Sequence, residues 1–419
     1  MVRAATLPGV TFRAPKGTDD VLPPESRDWL RAQRTFIDLA ATFGYDVVLT
    51  PHFESTELFE RGVGEATEVV NKQMYTFSDK GDRSLTLRPE ATASLVRAMI
   101  QAGGVTGPAK VAVWGPFFRY ERPQAGRRRQ FYQGDIEYFG EPSADADVEV
   151  IEFGHRYLEE MGVPDVVVAI NSIGDGDDRM FYRQVLAEWL QERAGDLSED
   201  ARERISTNPL RVLDSKADAD VVAEAPAPLD YLGGAAAEHF EAVQRGLRRL
   251  QIPYRLESRL VRGLDYYNRT VWEYLSTGYD AAQDAAGGGG RYDGLFELLG
   301  GKPTPAVGVA MGIDRIMLMA KASDNGAQLD AFVVVASPQR RDAALDLVSE
   351  LRRRGLRTDI ELAGRSVGAQ FKAADRRSAA AALVVGDEWS NGEVTARDLT
   401  TGDQETIALE DIEQWVRRR

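Results

Sequence analysis

Apolar and polar positions change period repeatedly along the first 170 residues. PPESRDWLRAQRTFIDLAATFGY has apolar residues every three to four positions, opens on prolines and closes on Gly44, which predicts a helix. DVVLTPHFES predicts a strand that lies at an edge or ends at Pro51. YTFSD and SLTLRPE flank the turn KGDR and predict a hairpin. ATASLVRAMIQAG predicts a short helix. KVAVWGPFFRYE and RQFYQGDIEYFG alternate at period two and predict two strands around a loop. DADVEVIEFGHRYLEEMG then predicts an amphipathic helix and DVVVAINSI another strand.

From 177 to 255 the pattern turns helical, charged and alanine-rich, with breaks at APAP, which predicts a mostly helical insertion. Strands return in YRLESRLVRGLDYYNRTVWEYLS and GGGGRYDGLFELLG, and a helix is expected to begin near GVAMGIDRIMLMAKA. SDNGAQLD has the composition of a linker. Beyond it, AFVVVA, RDAALDLVSELRRRG, RTDIEL, VGAQFKAADRRS and AALVVG alternate strand with helix, predicting a small α/β domain with a mostly parallel sheet. The reading is an α+β fold: a strand-rich domain over 1–325 containing the insertion at about 177–255, then an α/β domain over 326–419.

Composition narrows the chemistry. The 419 residues include no cysteine, which removes disulfides and thiolate zinc sites. Histidines stand only at His52, His155 and His239, too scattered to suggest a multi-histidine metal centre. No apolar run reaches the roughly 20 residues a membrane span needs, and no signal-peptide core opens the chain, so a cytoplasmic protein is expected. The formal charge is −15, yet five of the eleven residues from Arg119 to Arg129 are arginine. Residues 331–419 are near neutral, so the excess acidity belongs to 1–330. An acidic chain can still meet phosphates on a local basic surface.

That arginine loop lies between the two alternating strands. On the second strand Phe131, Gln133, Asp135, Glu137 and Phe139 share one face, which fits either a polar pocket with apolar walls or a solvated strand. Gln133 and Glu137, about 13 Å apart at 3.3 Å per residue, could hold two ends of a small ligand. Arg119 ends the incoming strand, and Arg127, Arg128 and Arg129 precede the outgoing one. Their planar forks suit phosphate oxygens or a base, though an exposed loop in an arginine-rich chain is the plainer alternative. LVRGLDYY places Arg262 within an apolar segment read as strand, so it is expected to face a cleft. Arg315 falls in the first turn of a helix after Gly308 and Gly312, where an anion or a salt bridge to Asp314 would suit it. GGGGRYDGL lacks the GK[ST] of a phosphate loop, and reads as glycine backbone allowing close approach, with Tyr292 lining the pocket.

Together these segments resemble the class II aminoacyl-tRNA synthetases, and most closely the histidine-specific family. GYDVVLTPHFE is similar to that class's first motif, FRYERPQAGRRRQFYQGDIE to its second and GVAMGIDRIMLM to its third. LVRGLDYY and GGGRYDGL resemble the two signatures of the histidine-specific family, and the C-terminal segment its anticodon-binding domain.

The resemblance implies a class II antiparallel sheet with flanking helices, and a homodimer joined through the first motif. It implies that Glu90, Thr92 and Gln133 hold the α-amino group of L-histidine. Glu137 faces the imidazole, and Tyr266, Tyr267 and Tyr292 complete that pocket. Arg119 contacts the α-phosphate of ATP, Arg315 meets adenine or the γ-phosphate, and Arg127 joins the ATP site. Arg262 stabilises the α-phosphate, where other members of the class rely more on metal, so Arg262 and Arg119 are the expected catalytic residues. Mg2+ would bridge phosphate oxygens, with no protein ligand assigned. The reaction expected is adenylation of histidine followed by transfer to tRNA(His), needing alignment and charge stabilisation rather than a protein nucleophile. A site that hydrogen-bonds the ring discriminates by about 10⁴–10⁵ without editing, so no editing domain is expected, and the insertion would lie near the acceptor stem. The alternative is a histidine-binding regulatory subunit of ATP phosphoribosyltransferase, a non-catalytic paralogue that generally lacks the anticodon domain.

Overall fold

The computed structural model describes residues 12–64, 67–215, 217–276, 285–321 and 329–419. The chain divides into two compact units, Met1–Lys321 and Ala322–Arg419. The boundary expected at 325/326 falls in 322–328, outside the described residues.

The first unit opens with α1 (Glu25–Thr42), β1 (Asp46–Val47), β2 (Phe53–Ser55), α2 (Thr56–Val63), β3 (Tyr75–Ser78), β4 (Ser84–Leu87) and α3 (Thr92–Gln101). Next come β5 (Ala109–Phe118), β6 (Gln130–Phe139), α4 (Ala144–Glu160) and β7 (Val166–Ser172). The helices α5 (Gly176–Glu192), α6 (Glu199–Thr207), α7 (Ala219–Val222) and α8 (Gly234–Arg249) follow. The unit closes with β8 (Tyr254–Leu256), β9 (Asn268–Ser276), β10 (Ala285–Arg291), α9 (Leu295–Leu298), β11 (Ala306–Gly312) and α10 (Ile313–Met319).

Its main sheet has eight strands in the order β1-β5-β6-β11-β10-β9-β7-β8. Pairing is antiparallel throughout, except that β1 runs parallel to β5 at one edge and β8 parallel to β7 at the other. The strand expected over DVVLTPHFES is broken: β1 joins the main sheet, while β2 joins a separate sheet ordered β2-β4-β3. Pro51, which has no N–H to give a ladder, lies between them. One face of the main sheet is covered by α1, α4, α8 and α10 through Phe36, Phe153, Tyr157, Phe240 and Ile316. The other face packs Leu95 and Val96 of α3 and Phe296 of α9 over Val111, Val113 and Phe117.

The helical stretch splits by its packing. α5, α6 and α7 enclose a core of their own around Tyr182, Leu186, Leu190, Ile205 and Val222. α8 returns Phe240, Val243 and Leu247 to the core of the sheet, and β8 belongs to the sheet itself. The helix expected near GVAMGIDRIMLMAKA begins only at Ile313; GVAMG is strand, paired on both sides.

The second unit runs β12 (Leu329–Val335), α11 (Arg341–Arg353), β13 (Thr358–Ile360), α12 (Val367–Arg376), β14 (Ala379–Val385), β15 (Glu393–Asp398), β16 (Gln404–Ala408) and α13 (Ile412–Arg417). Its sheet is ordered β13-β12-β14-β15-β16. The first three strands are parallel, and the last two add an antiparallel meander absent from the sequence reading.

Candidate active site

A cavity of about 790 Å³ opens on the α3 face of the main sheet, within the usual size range for a small-ligand site. All the histidine- and ATP-site residues implied by the resemblance border it, at an acidic and aromatic end and a guanidinium end.

At the first end, β6 aims Gln133, Asp135 and Glu137 at the cavity, as period-two alternation requires. Glu137 is buried; its Oε1 accepts from the Thr92 hydroxyl at 2.7 Å and its Oε2 from the Tyr292 hydroxyl. Burial, opposed by these two bonds and reinforced by Glu90, pushes its carboxyl up to about 8. Gly308 lies opposite Glu137 on β11, and a Cβ there would overlap Glu137 Oε2. Glu90 is also buried and raised above the usual carboxylate range by desolvation. Its oxygens accept the Thr92 N–H at 2.7 Å and the Ala93 N–H at 3.0 Å, satisfying free donors at the start of α3. Tyr266, Tyr267 and Tyr292 form the wall, with ring centroids 4.6 Å apart for Tyr266–Tyr267 and 5.3 Å for Tyr266–Tyr292. Burial holds all three phenols above their ordinary range.

At the second end stand Arg119, Arg127, Arg128, Arg262 and Arg315. Arg119 donates from Nε to the Pro89 carbonyl at 2.8 Å, with its guanidinium over the Phe131 ring. Arg127 is half-exposed and pairs with Glu121 at 3.8 Å. Arg128 lies between Asp19 at 3.2 Å and Asp314 at 3.5 Å. Asp314 also accepts the Tyr132 N–H at 2.8 Å. Arg315 instead donates to the Ala285 carbonyl at 2.9 Å. The loop tip folds onto it: Gly126 has φ +69, and a Cβ there would lie 3.0 Å from Arg315 Cγ. Arg129 does not border the cavity; its guanidinium lies 3.8 Å from the centre of the Tyr120 ring.

One expectation needs correction. Arg262 is not in a strand: LVRGLDYY is a loop between β8 and β9, held by side chains distant in sequence. Arg179 of α5 donates to the carbonyls of Asp265 at 3.0 Å and Tyr267 at 2.8 Å, Asn208 donates to the Asp265 carboxylate, and Arg211 donates to the Gly263 carbonyl. The glycine run is strand, as expected, and forms β10, central in the sheet; the strand ends at Arg291, and LFEL beyond it is the helix α9. What approaches its backbone is the protein itself. A Cβ at Gly288 would lie 2.7 Å from Arg262 Nη1, and one at Gly290 2.6 Å from Tyr267 Cδ1. Arg291 in the same signature is fully buried away from the cavity, bound to Asp147 and to the carbonyls of Glu141 and Ser143.

Sequence reasoning missed Glu273, whose carboxylate anchors Arg262 Nη1. It is the lone acid in the apolar run TVWEYL, a signal of the same kind as Arg262's own. The tethers Arg179, Asn208 and Arg211 carried no such signal.

A largely antiparallel sheet carrying a carboxylate and tyrosine pocket beside an arginine wall defines an aminoacyl-tRNA synthetase. A family model described as histidyl-tRNA synthetase matches residues 17–316, and one described as anticodon binding domain matches residues 330–419. The chain is 45% identical over 419 residues to the histidine–tRNA ligase of Synechococcus elongatus, covering 97% of this chain and 96% of that one. It is 41% identical over 424 residues to that of Geobacillus thermodenitrificans, covering 98% and 99%. Among solved structures, apo S. aureus histidyl-tRNA synthetase superposes with a TM-score of 0.79 at 33% identity, covering 97% of this chain and 99% of that one. This chain belongs to the histidyl-tRNA synthetase family. A Bacillus halodurans structure described as an ATP phosphoribosyltransferase regulatory subunit/histidyl-tRNA synthetase shares the fold alone, with a TM-score of 0.62 at 20% identity over 88% of this chain and 98% of that one.

Proposed function

We propose that the chain attaches L-histidine to the 3′ end of tRNA(His), using ATP, through the residues that border the cavity on the main sheet. The observation that carries the residue roles is the juxtaposition of Glu137, held by Thr92 and Tyr292, with the guanidinium groups of Arg119, Arg262 and Arg315 in one cavity.

The imidazole lies among Tyr266, Tyr267 and Tyr292 and donates a ring N–H to Glu137, while Glu90, Thr92 and Gln133 hold the α-amino group. The carboxylate of the bound histidine attacks the α-phosphorus of ATP, and pyrophosphate leaves. Arg119 and Arg262 stabilise the charge that grows on the α-phosphate, and Arg127 and Arg315 hold the rest of the nucleotide. Glu273 fixes Arg262 in advance, so little reorganisation remains at the moment of reaction. Mg2+ bound to the nucleotide would supply further counter-charge at the phosphates, with no residue of the chain assigned to hold it, while the chain's own contribution there is guanidinium. A ribose hydroxyl of the tRNA then attacks the activated carbonyl, forming the aminoacyl ester as the acyl–phosphate bond breaks, AMP leaves and the hydroxyl proton is released. Residues 326–419 read the anticodon, and the helices after β7 meet the acceptor stem.

Support for a homodimer comes from Val47, Leu49 and Phe53, exposed apolar residues beside the edge strand β1 in the segment similar to the first class motif. Translation sets the compartment as the cytoplasm. The regulatory-subunit reading is less supported: curated relatives at 41–46% identity bear the ligase name, and the anticodon model matches residues 330–419.

The test is charging of total tRNA by the purified chain with each amino acid. Histidine-dependent charging of tRNA(His) is expected. Binding of histidine without any charging would favour the regulatory reading instead.

A further inference from the structure

The wall of the histidine pocket holds acceptors that no group among the described residues satisfies. Gln133 and Asp135 sit two residues apart on β6, facing the cavity with Glu137. Among the described residues, Gln133 Oε1 and both carboxylate oxygens of Asp135 have no hydrogen-bond partner, although Asp135 is only 2% exposed. Their neighbours are already engaged. Glu137 accepts from Thr92 and Tyr292, and Glu90 is bound to the first N–H groups of α3. Arg88, the first of the cations acting on Asp135, gives its Nε to the Pro116 carbonyl at 3.0 Å and its Nη1 to Thr50 Oγ1 at 3.1 Å. Burial, with Glu137 and Glu90 nearby, holds the Asp135 carboxyl well above the usual carboxylate range, opposed by Arg88 and Arg119.

A buried carboxylate without donors is costly to keep, and more so beside two other acids. A small cation with several N–H groups removes that cost at once, because it gives each orphan oxygen a donor and the acid cluster a counter-charge. The amino-acid substrate carries such a group.

We infer that Asp135, together with Gln133 Oε1, receives the α-ammonium of the substrate amino acid and requires that the ammonium be free and charged. This rests on the assignment of the cavity to histidine. It adds an acceptor to Glu90 and Thr92, and makes Asp135 a residue that selects for the amino-acid backbone, as Glu137 selects for the ring.

Two inhibitors of histidine-dependent ATP–pyrophosphate exchange separate the two ends of the substrate. L-Histidinol keeps the ring and the ammonium but lacks the carboxylate. 3-(Imidazol-4-yl)propionate keeps the ring and the carboxylate but lacks the amine. In the full-length chain, Asp135→Asn is expected to raise the KM for histidine and the Ki of histidinol about tenfold or more. It should leave the Ki of imidazolylpropionate and the KM of ATP within about twofold. Equal weakening of both inhibitors would show a general disturbance of the pocket and overturn the inference, as would no change in either. Asp135→Ser carries the same comparison where the asparagine variant does not fold. Failure of the unsubstituted chain to exchange pyrophosphate with histidine would contradict the assignment of the cavity, not the role of Asp135 within it.

Discussion

Gly308 of β11 stands directly opposite Glu137 of β6, and the Glu137 carboxylate occupies the volume that a Cβ at 308 would need. The residue proposed to face the imidazole therefore depends on a missing side chain one strand away. Gly308→Ala should displace Glu137 at an overpacking cost of about 1–3 kcal/mol. The expected result is a rise in the KM for histidine of about tenfold or more with the KM for ATP little changed. Pyrophosphate exchange at varied histidine and varied ATP checks it, and equal changes in both constants would contradict the local account.

Arg262 should be worth more than the salt bridge that holds it. Arg262→Ala removes the group proposed to stabilise the α-phosphate and should lower adenylate formation by about 10²–10³. Glu273→Gln leaves the guanidinium in place but less constrained, so its loss should be smaller. Arg262→Lys should not restore the rate, because an ammonium lacks the planar fork. Single-turnover adenylate formation measures all three.

Glu137 also makes stability depend on pH. Its carboxyl is raised from 4.5 to about 8 in the ligand-free protein, so the folded state holds this proton more tightly than the unfolded chain. The stability it contributes is complete below about pH 4.5 and is lost as pH rises through about 8. Glu137→Gln cannot lose that proton. Relative to wild type, the variant should gain on the order of a few kcal/mol between about pH 5 and pH 8.5. Denaturant unfolding across this range reads the difference; a constant difference would show that Glu137 ionises normally.

The loop bearing Arg262, Tyr266 and Tyr267 is tied to α5 by Arg179. Arg179→Ala should cost about 1–3 kcal/mol in lost hydrogen bonds. It should also raise the KM for histidine and lower kcat, although Arg179 touches neither substrate in the proposed mechanism. An effect on stability alone would show that the loop keeps its shape without the tether.

Leu49 is 86% exposed beside the edge strand β1. Leu49→Asp should convert the proposed homodimer to a single chain of 46.2 kDa in sedimentation equilibrium. A dimer that persists would place the interface elsewhere.

What could be read from the sequence followed the strength of each local pattern. The hairpin β5–β6 alternates strictly, so the shared face of Gln133, Asp135 and Glu137 is legible in the sequence itself. Arg315 was placed correctly in the first turn of its helix because Gly312 ends the preceding strand. Elsewhere the deciding partner was distant. LVRGLDYY has the apolar and aromatic content of a strand, but three of its carbonyls, those of Gly263, Asp265 and Tyr267, accept from side chains 52 to 88 residues upstream. β10 is largely glycine and offers no side-chain period, so its central place in the sheet comes from its pairing with β9 and β11. α8 looks like its helical neighbours in sequence, and its separation from them comes from which core receives Phe240 and Leu247. Glu273 and Asp135 are acids in apolar strands whose importance appears only when their partners, or the lack of them, are known.

The central claim is that one cavity selects the imidazole through Glu137 and activates the amino acid with arginine. It is tested most directly by ATP–pyrophosphate exchange with each of the 20 amino acids, run on the wild-type chain and on Glu137→Gln. The account predicts exchange with histidine alone, and in the variant a histidine KM raised about tenfold or more with the ATP KM unchanged. Exchange driven by another amino acid, or an unaltered histidine KM in Glu137→Gln, would contradict it.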